Sequence, residues 1–151
     1  RYWVEQRLFG RLPAGGVLPP GTAFVSGVEY ITVLEGELRM KNSVVLWPGP
    51  GQPKRGPASK QHLVPGAETM LGLEQHPGVR DTIYGIAQYV PDLAAAGDDD
   101  PVLAFEGHDG RTWRMGVCVC FDKAFDDVFT RPVRTADVDF HAVFSNEAWF
   151  E

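Results

Sequence analysis

The stretch VCVCFDKAF, residues 117–125, constrains the fold of this chain more than any other segment. It begins as an apolar run with the alternation of a buried strand, on which every second side chain shares a face. We therefore expect Cys118 and Cys120 to point to one side of a sheet and Val117, Val119 and Phe121 to the other. After Asp122, apolar residues recur at helical spacing as far as Phe129, which predicts a step from strand to helix at this point.

A thiol at the end of this strand lies where a reactive cysteine is expected. The positive end of a helix dipole favours thiolate over thiol, so Cys120, at the step into the predicted helix, is the candidate nucleophile. The alternative interpretation is that Cys118 and Cys120 are both small hydrophobic core residues. Two cysteines this close on one strand face also make a poor disulfide.

The rest of the chain alternates predicted strands and helices. Runs rich in β-branched and aromatic residues predict strands at residues 22–30, 42–47, 102–105 and 138–146. Apolar residues at helical spacing predict helices at residues 2–12 and 79–90. The Pro- and Gly-rich segment at residues 48–57 predicts a loop, and the GHDGR sequence at residues 107–111 predicts a hairpin turn.

Composition excludes several classes of protein. The 151 residues are 44% hydrophobic and 23% charged, which is typical of a folded globular domain rather than a disordered chain. A net charge of −6 with no basic patch argues against nucleic-acid binding. No apolar run approaches the roughly 18–20 residues that cross a bilayer, so we predict no transmembrane segment here. Metal binding is not predicted, because ligand spacing is absent among His62, His76, His108 and His141.

A second stretch, SKQHLVPGAE at residues 59–68, carries opposite charges around an apolar tripeptide. An ammonium such as that of Lys60 stabilises the oxyanion that forms when a thiolate attacks an acyl carbon. A carboxylate such as that of Glu68 orients the ammonium or shuttles protons. The alternative for either residue alone is an ordinary solvated charge.

Four blocks in order resemble motifs of one enzyme family. The blocks KNSVVL, KQHLVPGAE, GVCVCFD and SNEAWFE are similar to those of the carbon–nitrogen hydrolase (nitrilase) superfamily, and most closely to its apolipoprotein N-acyltransferase branch. That branch typically has Lys-x-His-Leu-Val-Pro-Phe-Gly-Glu, Ile-Cys-Tyr-Glu and Ser-Asn-Asp-Ala-Trp-Phe-Gly. The implied fold is α/β, a partial four-layer α-β-β-α sandwich. Residues 1–151 would be the central part of one such domain, without its base-bearing N-terminal strand and its C-terminal strands.

The resemblance implies a role for each matched position. Superfamily members use a Glu-Lys-Cys triad in which the Glu is the general base. Cys120 would be the nucleophile that forms a thioester, Lys60 would stabilise the tetrahedral intermediate, and Glu68 matches the branch's additional Glu. Cys118 would only pack. The supporting positions implied by the same motifs are Asp122, Asn146 and Trp149.

The general base and two motif details depart from the family pattern. Glu5 is the nearby candidate for the base, but it lies in helix-like sequence, so we expect the base to precede Arg1 and these residues alone to be inactive. The sequence PGAE replaces Pro-Phe-Gly-Glu. The sequence CFD replaces Cys-Tyr-Glu, whereas Cys-Tyr-Asp is common in the soluble amidases.

Three functions are compatible with these features. The first is acyl transfer from a phospholipid to the N-terminal amine of a lipoprotein, on the extracytoplasmic side of a bacterial inner membrane. The second is a cytoplasmic amidase or nitrilase that hydrolyses a small amide or nitrile. The third is a non-catalytic binding module on the same fold. None of the three implies a cofactor, a metal or a nucleic acid.

Overall fold

A computed structural model describes residues 22–34, 37–48, 53–65, 68–69, 73, 76, 78–79, 81–82 and 101–145. Its strands are β1 (Phe24–Leu34), β2 (Glu37–Trp47), β3 (Arg55–Ser59), β4 (Val102–Glu106), β5 (Thr112–Val119) and β6 (Phe140–Phe144). A short 3₁₀ helix (Cys120–Ala124) and the helix α1 (Asp127–Ala136) lie between β5 and β6. The four predicted strands are confirmed with shifted bounds. The predicted helix at 2–12 lies outside the described residues, and the one at 79–90 is helical at its described positions, 79, 81 and 82.

The first sheet has the order β1-β2-β3 and is antiparallel throughout. The first two strands form a long ribbon in which Phe24 lies opposite Trp47 and Leu34 opposite Glu37. The third strand pairs with the last part of β2, with an irregularity between Val44 and Leu46. Its pairing places Ser59, the last residue of β3, opposite Ser43.

The prediction of a loop at residues 48–57 is wrong at its end, because β3 begins at Arg55. Pro57 lacks an N–H group and is therefore tolerated in a sheet mainly on an outer strand. Within the described residues β3 is such an outer strand, since it pairs with β2 alone. Composition alone could not distinguish this short edge strand from the loop before it.

The second sheet has the order β4-β5-β6 and contains the cysteine stretch at its centre. The predicted hairpin is confirmed: β4 and β5 are antiparallel, and the turn between them is closed by a 2.8 Å hydrogen bond from Gly107 N to Arg111 O. Gly110 adopts a left-handed φ of 74° in this turn. The last strand, β6, runs parallel to β5 after the α1 crossover.

The two sheets pack face to face around one apolar cluster. Its buried members from the two sheets are Val44, Leu46, Ala58, Leu103, Met115, Val117 and Val119. The helix α1 lies against β5 through its buried residues Val128 and Pro132. The described residues therefore form a mixed α/β structure with two small sheets and one helix, and no helix among them is both long and apolar enough to cross a membrane.

Gly116 permits the close approach of β6 to β5. It lies opposite His141 in the parallel pair, and a Cβ on Gly116 would lie 2.5 Å from Cε1 of the imidazole. The ring also contacts Phe129 edge-on, with a centroid distance of 5.3 Å. Strand β5 thus needs a residue without a side chain at this point.

Substitution Gly116→Ala should lower the free energy of unfolding by about 1–3 kcal/mol, because the added methyl group overpacks the ring of His141. Urea unfolding of the single variants and of Gly116→Ala/His141→Ala measures the effect. The double variant should recover part of the loss, since the two sites are in contact. Gly27→Ala is the matched control: its Cβ would meet no atom closer than 4.0 Å. Equal losses for Gly27→Ala and Gly116→Ala would contradict this account.

Candidate active site

The most unusual feature of the structure is a buried ion pair directly after β3. Lys60 and Glu68 are only 2% and 3% exposed, and Nζ of Lys60 lies 2.5 Å from Oε2 of Glu68. Lysine and glutamate are almost never this deeply buried unless they are paired. The two residues that sequence analysis selected as chemically active therefore do contact each other, and neither is a solvated surface charge.

Backbone and amide donors orient this pair. The backbone N–H of Lys60 donates to the carbonyl of Asn42 on β2 at 2.8 Å, which anchors the residue to the end of the first sheet. The side-chain amide of Asn42 donates to Oε1 of Glu68 at 3.0 Å, and the backbone N–H of Val64 donates to Oε2 at 2.8 Å. Both carboxylate oxygens thus accept hydrogen bonds. A carboxylate with these donors is held in one orientation.

Asp122 joins the Lys60 segment to the Cys120 turn. Its buried carboxylate accepts the backbone N–H of His62 at 2.7 Å and that of Gln61 at 3.1 Å, on one side. On the other side it accepts the backbone N–H of Val119 at 3.2 Å. The residue next to Lys60 and the residue before Cys120 therefore share one carboxylate. The ends of β3 and β5 meet there, although the strands belong to different sheets.

Cys120 lies just beyond β5 and has a left-handed backbone, with φ of 54°. A non-glycine residue in this region is uncommon, and such strain concentrates at functional sites. Its side chain is partly exposed and packs against the inter-sheet cluster, of which Cys118 is not a member. The expectation that both thiols share one strand face is therefore wrong, because regular alternation ends at Val119.

The predicted helix after the cysteine is divided in two. A five-residue 3₁₀ helix, Cys120–Ala124, comes first, and α1 begins only at Asp127. The dipole of a long helix therefore does not start at the thiol. In its place, the described structure sets Cys120 in a tight turn held by Asp122.

Cys118 has a different environment from Cys120. It is completely buried. Burial, together with the negative charge of Asp122, raises the pKa of the Cys118 thiol from 9.0 to about 11. It therefore stays a neutral thiol at neutral pH and agrees with the packing role expected for it.

Two residues of the site were not predicted from the sequence. Asn42 donates to Glu68, and the sequence feature that could have indicated this is a lone amide within the β-rich KNSVVL block. Nδ1 of His62 lies 3.2 Å from Oδ1 of Asp122, and the corresponding sequence feature is the position of His62 two residues after Lys60. Glu5, Asn146 and Trp149 lie outside the described residues, so the structure does not place the base or the proposed acyl pocket.

The described residues provide a nucleophile candidate, a buried cation and a network of orienting hydrogen bonds. No group of three or more His, Cys, Asp or Glu side chains in this part of the chain could hold a metal ion. Within the described part of the chain, Nζ of Lys60 donates to one acceptor, Oε2 of Glu68, and an ammonium carries three N–H groups. Its other N–H groups could donate to a developing oxyanion.

The chain matches no model of a known protein family, and it also matches no curated protein.

Removing one member of the ion pair should be more damaging than removing both. Glu68→Gln leaves a buried ammonium without its counter-charge, so we expect a loss of about 3–5 kcal/mol in the free energy of unfolding. Lys60→Met should also destabilise the protein. The double variant Lys60→Met/Glu68→Gln should lose less than the sum of the two single losses. Chemical denaturation measures all three, and strict additivity would show that the pair does not interact.

Cys118 should make stability depend on pH in the alkaline range. Its thiol stays protonated in the folded protein to about pH 11, whereas the unfolded chain loses that proton near pH 9.0. The unfolded state then binds fewer protons, so stability falls as pH rises through this window. Guanidinium unfolding should show that the stability difference between the wild type and Cys118→Ala shrinks between pH 9.0 and about pH 11. Parallel curves for the two proteins would contradict the assignment.

Proposed function

We propose that this chain carries a thiol acyl-transfer site in which Cys120 forms a thioester. The observation that carries the proposal is the buried Lys60–Glu68 pair, which Asp122 ties to the turn that bears Cys120. A buried, hydrogen-bonded ion pair is weak evidence for stability, because apolar residues of similar volume often stabilise a core equally well. Its link through Asp122 to the turn that bears a partly exposed thiol supports a chemical role.

In the first half-reaction, the Cys120 thiolate attacks the acyl carbon and a C–S bond forms. The carbonyl π electrons move to oxygen, and the ammonium of Lys60 donates a hydrogen bond to the resulting oxyanion. Collapse of the tetrahedral intermediate breaks the bond to the leaving group, which takes up the proton that a general base removed from the thiol. The thioester on Cys120 remains.

In the second half-reaction, the acceptor amine or water attacks the thioester carbon and gives a proton to the general base. Collapse of the tetrahedral intermediate breaks the C–S bond and releases Cys120 as a thiolate. The same ammonium binds the second oxyanion. The general base is a carboxylate outside the described residues, for which Glu5 is the candidate within the chain. Glu68 is already engaged by Lys60, Asn42 and Val64, which supports an orienting role for it rather than that of the base.

The family resemblance makes the proposal more specific. The motif order is closest to the apolipoprotein N-acyltransferase branch, so the proposed donor is a phospholipid ester and the proposed acceptor is the N-terminal amine of a lipoprotein. The corresponding fold is part of a four-layer α-β-β-α sandwich, and two packed sheets with α1 outside one of them are compatible with three of its layers. This version places the site outside the bacterial inner membrane.

One observation favours a hydrolase as the second candidate. Asp122 stands where the acyltransferase branch has Glu, and Cys-Tyr-Asp is common in the soluble amidases. The side chain of Asp122 is shorter than that of Glu, and it accepts hydrogen bonds from the backbone N–H groups of Gln61, His62 and Val119. In a hydrolase, an amide substrate would give the same thioester on Cys120 and a nitrile would give a thioimidate. Water would then hydrolyse either intermediate.

Trapping the covalent intermediate tests the shared chemistry. The full-length protein is incubated with a phospholipid bearing a labelled acyl chain in detergent micelles, and separately with a small aryl amide, and then quenched in acid. The mass of the intact protein should show one acyl adduct, which hydroxylamine releases. After digestion, the adduct should lie on the peptide that contains Cys120. Cys120→Ala should form none, and Lys60→Met/Glu68→Gln should lose at least about 100-fold in the acylation rate, the usual scale for one lost oxyanion donor.

Cys118→Ala is the matched control, because it removes the other thiol two residues away and should still form the adduct. An adduct from the phospholipid that passes to an amine supports the acyltransferase, whereas turnover of the amide by water supports the hydrolase. Unchanged function of Cys120→Ala in the full-length protein would contradict both and leave the non-catalytic binding module.

A further inference from the structure

The imidazole of His62 lies between two carboxylates beside the candidate site. Nδ1 is 3.2 Å from Oδ1 of Asp122, and Nε2 is 3.6 Å from Oδ1 of Asp127. The first distance is that of a hydrogen bond and the second exceeds it. Asp122 is 1% exposed and Asp127 is 56% exposed. The buried carboxylate is therefore the partner that matters structurally.

The ring of His62 is fixed by stacking as well as by hydrogen bonding. It lies parallel to the ring of Phe125, with a centroid distance of 3.9 Å and an interplanar angle of 6°. Phe125 in turn contacts Phe121 edge-on at 5.3 Å. Both phenylalanines come from the segment that follows Cys120. The imidazole is therefore held on the same turn that it contacts through Asp122.

The protonation of Nδ1 follows from the chemistry of its partner. An ionised carboxylate accepts hydrogen bonds and donates none, so the contact with Asp122 requires a hydrogen on Nδ1. Asp122 then accepts four N–H groups: the backbone amides of Gln61, His62 and Val119, and the imidazole. Both ring nitrogens of His62 thus face carboxylates, which suits orientation of Asp122 rather than proton exchange with a thiol.

We propose that His62 is a positioning residue for the thiol acyl transfer proposed above, on which this inference rests. Its Nδ1–H group fixes the carboxylate of Asp122. That carboxylate accepts amides from the segment after Lys60 and from the residue before Cys120, and so holds the two segments together. Loss of the Nδ1 donor loosens this connection without removing either the nucleophile or the cation.

Two amide substitutions distinguish this role from simple packing. The side-chain NH₂ of Asn in His62→Asn reaches the position of Nδ1, whereas that of Gln in His62→Gln reaches the position of Nε2. Both variants lose the stacking on Phe125, so they differ mainly in which donor they restore. His62→Asn should retain kcat for acylation within about threefold. His62→Gln should lose up to about 100-fold in kcat with KM little changed, as expected for reacting groups displaced by about 1 Å.

Asp127→Asn is the control for the second carboxylate and should leave kcat unchanged, because its 3.6 Å contact with Nε2 is not a hydrogen bond. Equal losses for His62→Asn and His62→Gln, or a loss in Asp127→Asn larger than in His62→Gln, would overturn the proposal.

Hydrogen exchange separates this inference from the acyl-transfer proposal. The amides of Gln61 and His62, which donate to Asp122, should exchange about tenfold faster in His62→Gln than in His62→Asn. This readout needs no turnover, so it applies even if Cys120→Ala keeps full function and acyl transfer is excluded. Equal exchange in the two variants means that His62 does not fix Asp122, whatever the reaction.

Discussion

The burial of the Lys60 ammonium is the constraint on which the described structure depends. Moving an isolated charge out of water costs far more than a domain's net stability, so a buried lysine requires a partner charge and further hydrogen bonds. Glu68 supplies the charge, and Asn42 and the Val64 amide complete its carboxylate. Together these contacts fix the segment after β3 against β2.

Asp122 connects the Lys60 segment, which follows the first sheet, to the end of β5 in the second sheet. The two sheets share an apolar cluster, but apolar contacts are not directional and would tolerate small shifts between the sheet ends. Hydrogen bonds from Gln61, His62 and Val119 to a single buried carboxylate remove that freedom. The result is a hydrogen-bonded contact between the segment carrying the cation and the turn carrying Cys120. The proposed acyl transfer requires such a contact, because reacting groups must be held in a fixed geometry.

Sequence patterns predicted the elements more reliably than the contacts between them. The β4–β5 hairpin and the strand before Cys120 follow from local alternation and turn residues, and the structure confirms them. For Lys60 and Glu68, whose opposite charges flank an apolar tripeptide, the sequence left open an oriented pair or ordinary solvated charges, and the structure shows the pair. The left-handed backbone of Cys120 and the roles of Asn42 and His62 were not predicted, because each depends on partners distant in sequence. Strand β3 was missed because its Pro- and Gly-rich composition is that of a loop.

One turn of backbone gives the two cysteines different surroundings. Continued alternation after Val119 would have placed Cys120 on the same buried face as Cys118, where burial and the charge of Asp122 keep a thiol neutral. The positive φ of Cys120 ends the strand and moves its side chain to the margin of the inter-sheet cluster, where it is partly exposed. A thiolate nucleophile needs that access, and a packing residue does not. A glycine there would adopt the same backbone without strain, so the presence of a cysteine at this position supports the proposed role of its thiol.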